Sequence, residues 1–440
     1  MFAHHLRTAW TSVRRSPVLS ILIVAAIAVG IGVSITGLTI YHMLARDPIP
    51  QKSDQLFRVQ LDSWDPDSPF FEGGDEPSGP PFWLTYQDAM ALLESDIPKA
   101  HAANYRSAAV LESDNPSVAP DVYGIRATTR GFFSMFEVPF RYGAAWDAAA
   151  DQDGAPVVVI GEKINDELFG GEDSTGRTVR LGDDEFRVAG VLEHWSPHPR
   201  FYDLNMTTFG DPEQLFVPMR AATDREWAIN GNTSCWKPES LVTFRDFLGS
   251  ECVWVLFWAE LPDSASREAY MTYLNGYVDQ QKAAGRFPRP MDNRLRSVEE
   301  WLEHRQVVSD DSRVVVALAF LFLIVCLLNA VGLMLAKFAG TAPSAAIRRA
   351  LGASRGDIVR QYLTEVGAIG IAGGLAGLAL AATGLWSLRQ GFEDLANVAR
   401  LDLSMGFTAI GLAFLAALAA GLYPAWRVGR AVPVRFLKSQ

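Results

Sequence analysis

Apolar and polar positions divide this chain into a membrane-like frame around a polar insert. Four stretches are almost continuously apolar, at 18–44, 314–338, 365–388 and 403–423. Roughly 20 mostly apolar residues suffice for a helix to cross a bilayer, so each is expected to span one. The first is longer than the roughly 7–15 residues of a signal-peptide core and has no A-x-A site after it, which predicts an uncleaved helix. Between the first and second stretches the pattern turns polar and mixed. Residues 56–61 alternate as a strand does, and 82–93 reads as a helix. Residues 156–161 predict a short buried strand, followed by a helix over 162–169 that Gly170-Gly171 ends. A hairpin is expected from 178–181 and 185–192 around Gly182-Asp183-Asp184, an apolar strand over 253–259 and a helix over 264–281. Residues 298–308 read as a helix running towards the second apolar stretch, while the aromatic, Pro-rich 195–250 region predicts little regular structure.

The expected architecture is a membrane protein with four transmembrane α-helices, one N-terminal and three C-terminal, plus a large mixed α/β extracytoplasmic domain. Its divisions are 1–44 (N-terminus and first helix), 45–311 (a two-lobed outer domain) and 312–440 (helices two to four).

Charge gives this layout a direction. Arg7, Arg14 and Arg15 precede the first span; Lys337, Arg348, Arg349, Arg355 and Arg360 lie between the second and third; Arg427, Arg430, Arg435 and Lys438 follow the fourth. These flanks hold twelve bases against one acid, Asp357, and the formal net charge is −11, so the rest of the chain carries −22. By the positive-inside tendency both termini and the 337–364 loop are cytoplasmic and the acidic insert is outside. The negative balance argues against a nucleic-acid partner, which would need a basic surface.

Candidate chemistry is sparse. No G-x-x-x-x-G-K-[ST], H-E-x-x-H or G-x-S-x-G occurs, so no cofactor is expected in this chain. Glu193, His194 and His198 form the one metal-like cluster, but Pro197 and Pro199 forbid the helix that would align both imidazoles, and a surface loop is the expected reading. Cys235 and Cys252 can pair if the insert faces an oxidising compartment. Gly370 with Gly374, and Gly373 with Gly377, stand four apart and allow a helix to approach closely, either within the chain's own bundle or at a subunit interface. Glu365 is the ionisable residue expected near the cytoplasmic end of the third span, and no span carries a charge at its centre, which weighs against an ion or proton relay.

Two segments are more specific. One is the run 347–363, which holds Ile347, Arg348, Arg349, Leu351, Gly352, Ala353, Ser354, Arg355 and Ile358; the other is Gly421-Leu422-Tyr423-Pro424-Ala425-Trp426-Arg427. With 156–161, Phe169-Gly170-Gly171, Gly176-Arg177-Thr178 and 188–192 of the insert, they resemble the MacB/FtsX-like permeases of ABC transporters. The resemblance covers nearly the whole chain. It implies a permease subunit of an export or mechanotransmission system in the inner membrane, with a MacB-type periplasmic core domain. Its implied partners are cytoplasmic ABC ATPase subunits that bind the ATP and Mg, a second permease (homodimer or heterodimer), membrane lipids, and an adaptor and outer-membrane channel. An FtsX-like regulator that activates an extracytoplasmic hydrolase without transport is the alternative. Seventeen residues precede the first span, so the ATPase is expected on a separate polypeptide. The resemblance assigns 339–363 to ATPase coupling: Ile347, Leu351 and Ile358 would form the apolar face of a short amphipathic helix, Arg348, Arg349 and Arg355 would meet an acidic rim, and Gly352 would permit a turn. Ser344 stands where family members often carry an acidic residue, and Ser344, Ala345 and Ala346 replace a Glu-Ile-Gly-like run, which fits pairing with a second, different permease that has the acidic residue.

Overall fold

The computed structural model describes residues 16–70, 79–112, 119–205, 208–391 and 403–429. Arg7, Arg14, Arg15, Arg430, Arg435 and Lys438 lie outside them, as does the loop joining the last two spans. Two compact units emerge, one built from Asp47–Val307 and one from the two chain ends.

The outer unit is organised by one eleven-stranded sheet. Its strands are β1 (Leu56–Gln60), β2 (Leu84–Thr85), β3 (Ala100–Glu112), β4 (Asp121–Thr128), β5 (Phe140–Gly143), β6 (Val157–Ile160), β7 (Thr178–Leu181), β8 (Asp184–Leu192), β9 (Leu215–Pro218), β10 (Val253–Glu260) and β11 (Arg294–Ser297). The order is β11-β1-β10-β3-β4-β9-β6-β8-β5, with β2 on β10 and β7 bridging β3 and β8. The β4–β9 and β6–β8 pairs are parallel and the other pairs antiparallel.

Both faces of this sheet are covered. Phe57, Val255, Phe257, Leu215 and Val217 enter one core, while their neighbours Leu56, Leu256, Trp258 and Phe216 enter another. Successive side chains of a strand point to opposite faces, so a strand covered on both reads as a near-continuous apolar run, with any polar residue in it paired. That is why β10 and β6 are buried at every residue. The two lobes expected from sequence therefore share one sheet.

Several local expectations change. Helix 82–93 shrinks to Tyr86–Leu92, because Leu84–Thr85 pairs with β10 and the Thr85 side chain caps the helix by accepting from the Asp88 N–H. Within 195–250, β9 is an interior strand and Met219–Asp224 and Phe244–Leu248 are helices. The helix expected over 298–308 ends at His304, and a new one starts at Asp310 with Ser309 as its N-cap. The two-residue turn Gly182-Asp183 sits where Leu181 faces Asp184, and Gly170 ends helix Glu162–Phe169 in the left-handed conformation that glycine adopts without a steric cost.

In the second unit, four helices are long and apolar enough to cross a membrane: Pro17–Leu44, Ser312–Ala350, Arg355–Gly391 and Gly406–Val428. They are called spans one to four below. The helix bearing span two runs unbroken from Asp310 to Ala350, with Pro343 inside it. Residues 339–350 therefore extend span two, and the separate amphipathic helix expected there does not form.

Candidate functional site

At the junction of spans two and three the chain turns through Leu351–Ser354. Gly352 has a φ of +104°, a region open to glycine and costly for other residues. Ser354 then caps span three: its N–H and hydroxyl donate to the Asp357 carboxylate, and its Oγ accepts from the Asp357 N–H. The turn projects Leu351, 83% exposed, and Ile347, 55% exposed. Arg348 and Arg355 are exposed beside them, and Arg349 and Ala353 are half-buried. Ile358 does not join this face. It is buried among Tyr362, Phe338 and Ala345 in the bundle. The change of direction at Gly352 breaks the helical phase that would have aligned Ile358 with Ile347 and Leu351.

Inward from the turn, polar contacts join the two helices. Arg348 donates to Gln361 at 2.6 Å, Thr341 and Tyr362 share a hydroxyl–hydroxyl bond of 2.8 Å, and the Phe338 and Tyr362 rings lie 4.5 Å apart. Lys337 and Glu365 form an ion pair at 2.5 Å with side chains 0% and 1% exposed, and Lys337 Nζ also donates to Ser20 Oγ at 2.8 Å. Lys337 is thus no exposed topology base. Counting flanking charges registers Lys337 without its partner; the signal available in sequence was a lone base ending one apolar stretch and a lone acid opening the next.

Gly370, Gly373, Gly374 and Gly377 all face helices of the same chain. A Cβ on Gly370 would come within 2.5 Å of the Ala417 Cβ, and one on Gly374 within 2.8 Å of the Ala413 Cβ. Gly373 and Gly377 would meet Ile27 and Ile31 at 2.7 and 2.9 Å. One glycine pair seats span four and the other seats span one.

In the outer unit Cys235 and Cys252 form the disulfide that an oxidising compartment would allow. Glu193 and His194 border a small cavity of about 30 Å³. Among the described residues no group of three or more His, Cys, Asp or Glu could hold a metal ion. The His304 ring packs against Phe82 and Trp301, and its buried Nε2 has no hydrogen-bond partner among the described residues. Burial, and then Arg296, Arg294 and Arg305, push its pKa down to about 4. A depressed folded value favours the neutral form, so this contribution to stability is complete above roughly pH 6.5 and is lost as pH falls towards 4. Thermal unfolding of the solubilised chain should therefore weaken across that window, and His304→Phe should flatten the dependence; an unchanged pH profile in the variant would contradict it.

Sequence comparison agrees with this layout. The family model described as MacB-like periplasmic core domain matches residues 20–276, more than half of the chain, and FtsX-like permease C-terminal matches 316–433. A macrolide export ATP-binding/permease protein MacB of Rhodospirillum rubrum is 25% identical over 459 aligned residues, covering 100% of this chain and 61% of that protein. One from Syntrophobacter fumaroxidans is 23% identical, covering 72% and 47%. The chain thus spans about half the length of these curated relatives. The crystal structure of the periplasmic region of MacB from Actinobacillus actinomycetemcomitans aligns with 60% of this chain and 96% of its own, at 14% identity and a TM-score of 0.38. With a periplasmic core domain set between one N-terminal and three C-terminal membrane helices, the chain belongs to the MacB/FtsX-like permease family of ABC transporters.

Proposed function

We propose that this chain is the membrane subunit of an ABC export or mechanotransmission machine, receiving motion from a cytoplasmic ATPase and conveying it to its periplasmic domain. The observation that carries the proposal is the turn at Leu351–Ser354. It presents exposed Ile347 and Leu351 among exposed Arg348 and Arg355, at the joined ends of helices of 41 and 37 residues. Exposed apolar side chains within a basic rim suit an acidic protein groove, and two long helices lead away from it. In this reading the turn and both termini are cytoplasmic, and ATP and Mg are bound by the ATPase. A second permease completes the machine, and an adaptor and outer-membrane channel extend it where the cargo leaves the cell.

The test is the double variant Arg348→Glu with Arg349→Glu. Association with the ATPase is expected to fall at least tenfold, because two attractive contacts become repulsive, each at roughly 1 kcal/mol or more. Membrane insertion should be unchanged. Association at the wild-type level, measured by co-purification, would remove the turn from the interface.

A further inference from the structure

We infer that Lys337, Glu365 and Ser20 form a clamp that passes movement of the turn at Leu351–Ser354 to span one, making these three the positioning residues of coupling. The inference rests on the coupling role proposed above and adds the route by which motion leaves the turn.

The placement is specific. Ser20 belongs to span one, Lys337 to span two and Glu365 to span three, so a single ion pair with one hydroxyl joins three helices. Counting about 1.5 Å per residue, the pair lies roughly 15 Å inward from Arg355 and roughly 20 Å from Ala350. The Arg348–Gln361 and Thr341–Tyr362 bonds occupy the interval, so the polar contacts form a ladder from the turn to the clamp. Pro343 lies within the same interval. A proline inside a helix removes one backbone hydrogen bond and leaves a point of bending. Without cross-bracing, a push on the turn would be spent bending the helix at Pro343. Thr341 and Arg348 tie both sides of that point to span three, and the clamp ties the braced pair to span one. Span one in turn leads by chain continuity into the outer domain at Asp47.

The chemistry points the same way. Burying a lysine and a glutamate costs several kcal/mol per ion, which their mutual attraction largely offsets, and an apolar pair of similar volume is often as stable. A lysine in a membrane helix often extends its long stem towards the interface, yet Lys337 is turned wholly inward. An ion pair constrains relative position more sharply than apolar contact does, because its energy depends on the alignment of both charges and of the hydroxyl. The clamp is therefore a device for registration.

The test uses the full chain with its ATPase in lipid nanodiscs, reading co-purification and ATP turnover separately. Lys337→Met with Glu365→Leu removes both charges, so no unpaired ion remains and the bundle should assemble. It is expected to bind the ATPase as the wild type does, with KM for ATP unchanged and permease-dependent kcat reduced at least tenfold. Ser20→Ala, which keeps the ion pair and cuts its link to span one, should reduce that kcat about threefold. The exchange Lys337→Glu with Glu365→Lys should recover turnover to within threefold of wild type, whereas either reversal alone should not. Wild-type kcat in the Met/Leu variant, or an exchange as inactive as the single reversals, would overturn the clamp. If the wild-type chain neither binds an ATPase nor alters its turnover, the coupling role itself is overturned, and the clamp with it.

Discussion

Replacing Arg126 by methionine should destabilise the outer domain by about 3–5 kcal/mol, a fall of roughly 10 °C in Tm for a unit of this size. Arg126 is 0% exposed on β4 and donates to Asp203 at 2.7 Å, to Glu213 at 2.5 Å and to Asn104 at 3.1 Å. Arg200 donates to the same Glu213 oxygen at 2.8 Å, and the Tyr202 hydroxyl donates to the other at 3.3 Å. This network fastens Arg200, Tyr202, Asp203 and Glu213 to the sheet ahead of β9. Methionine fills most of the volume but leaves the buried Asp203 and Glu213 carboxylates with Arg200 and the more distant Arg106, 3.9 Å from Glu213, and an undercompensated buried charge is the costly outcome.

The pH dependence gives a second signature. Burial alone would raise the Glu213 pKa, but Arg126 and Arg200 outweigh it and hold the carboxyl well below the usual carboxylate range. In the wild type this group's stabilisation is present above about pH 4.5 and is lost only as pH falls towards the lower folded value. Without Arg126, burial gains the upper hand, and acidification from pH 7 to 5 should narrow the gap between variant and wild type. Thermal unfolding across that range checks both statements. A Tm within about 2 °C of wild type at pH 7 would mean the network contributes little to holding these residues.

Gly370→Leu with Gly374→Leu should separate span four from span three. Each added side chain must enter space already held by Ala417 or Ala413, and overpacking costs about 1–3 kcal/mol per site. In lipid there is no water exclusion to compensate, since helix association depends on close packing. The expected result is a chain that inserts but aggregates at lower temperature in detergent and is more readily cut by protease. Had these glycines served a subunit interface alone, the variant would instead remain a stable monomer and lose only its partner permease. That outcome would contradict the packing described.

The membrane frame was legible because bilayer spanning demands long apolar runs, and four were plain. Glu162–Phe169 and the β7–β8 hairpin were legible because their punctuating glycines sit where left-handed backbone is needed. The rest failed for physical reasons. Strand β9 has four residues, with Pro212 shortly before it and Pro218 at its end, too short for any period to show. Strand β3, Ala100–Glu112, is rich in alanine and polar residues with weak strand preference, yet it lies mid-sheet because β4, β7 and β10 pair with it. The coupling run was recognisable as a motif, but its geometry was not. The turn at Gly352 was expected, but not its effect on the apolar face: it leaves Ile347 and Leu351 at the exposed tip and carries Ile358 into the core. Buried ion pairs were the least visible feature. Lys337 and Glu365 stand 28 positions apart, and Arg126 and Glu213 stand 87 apart, so only the folded chain brings opposite charges together.

The central claim is that this chain works with an ATPase through the turn at Leu351–Ser354. Its most direct test is a mild-detergent pull-down of the tagged chain from its native membrane, with cysteine placed at Leu351 for crosslinking in the presence of a nucleotide analogue and the products identified by mass spectrometry. A P-loop ATPase crosslinked through position 351, together with a permease copy in the same eluate, is the predicted result. Recovery of the chain with no ATPase under these conditions would contradict it.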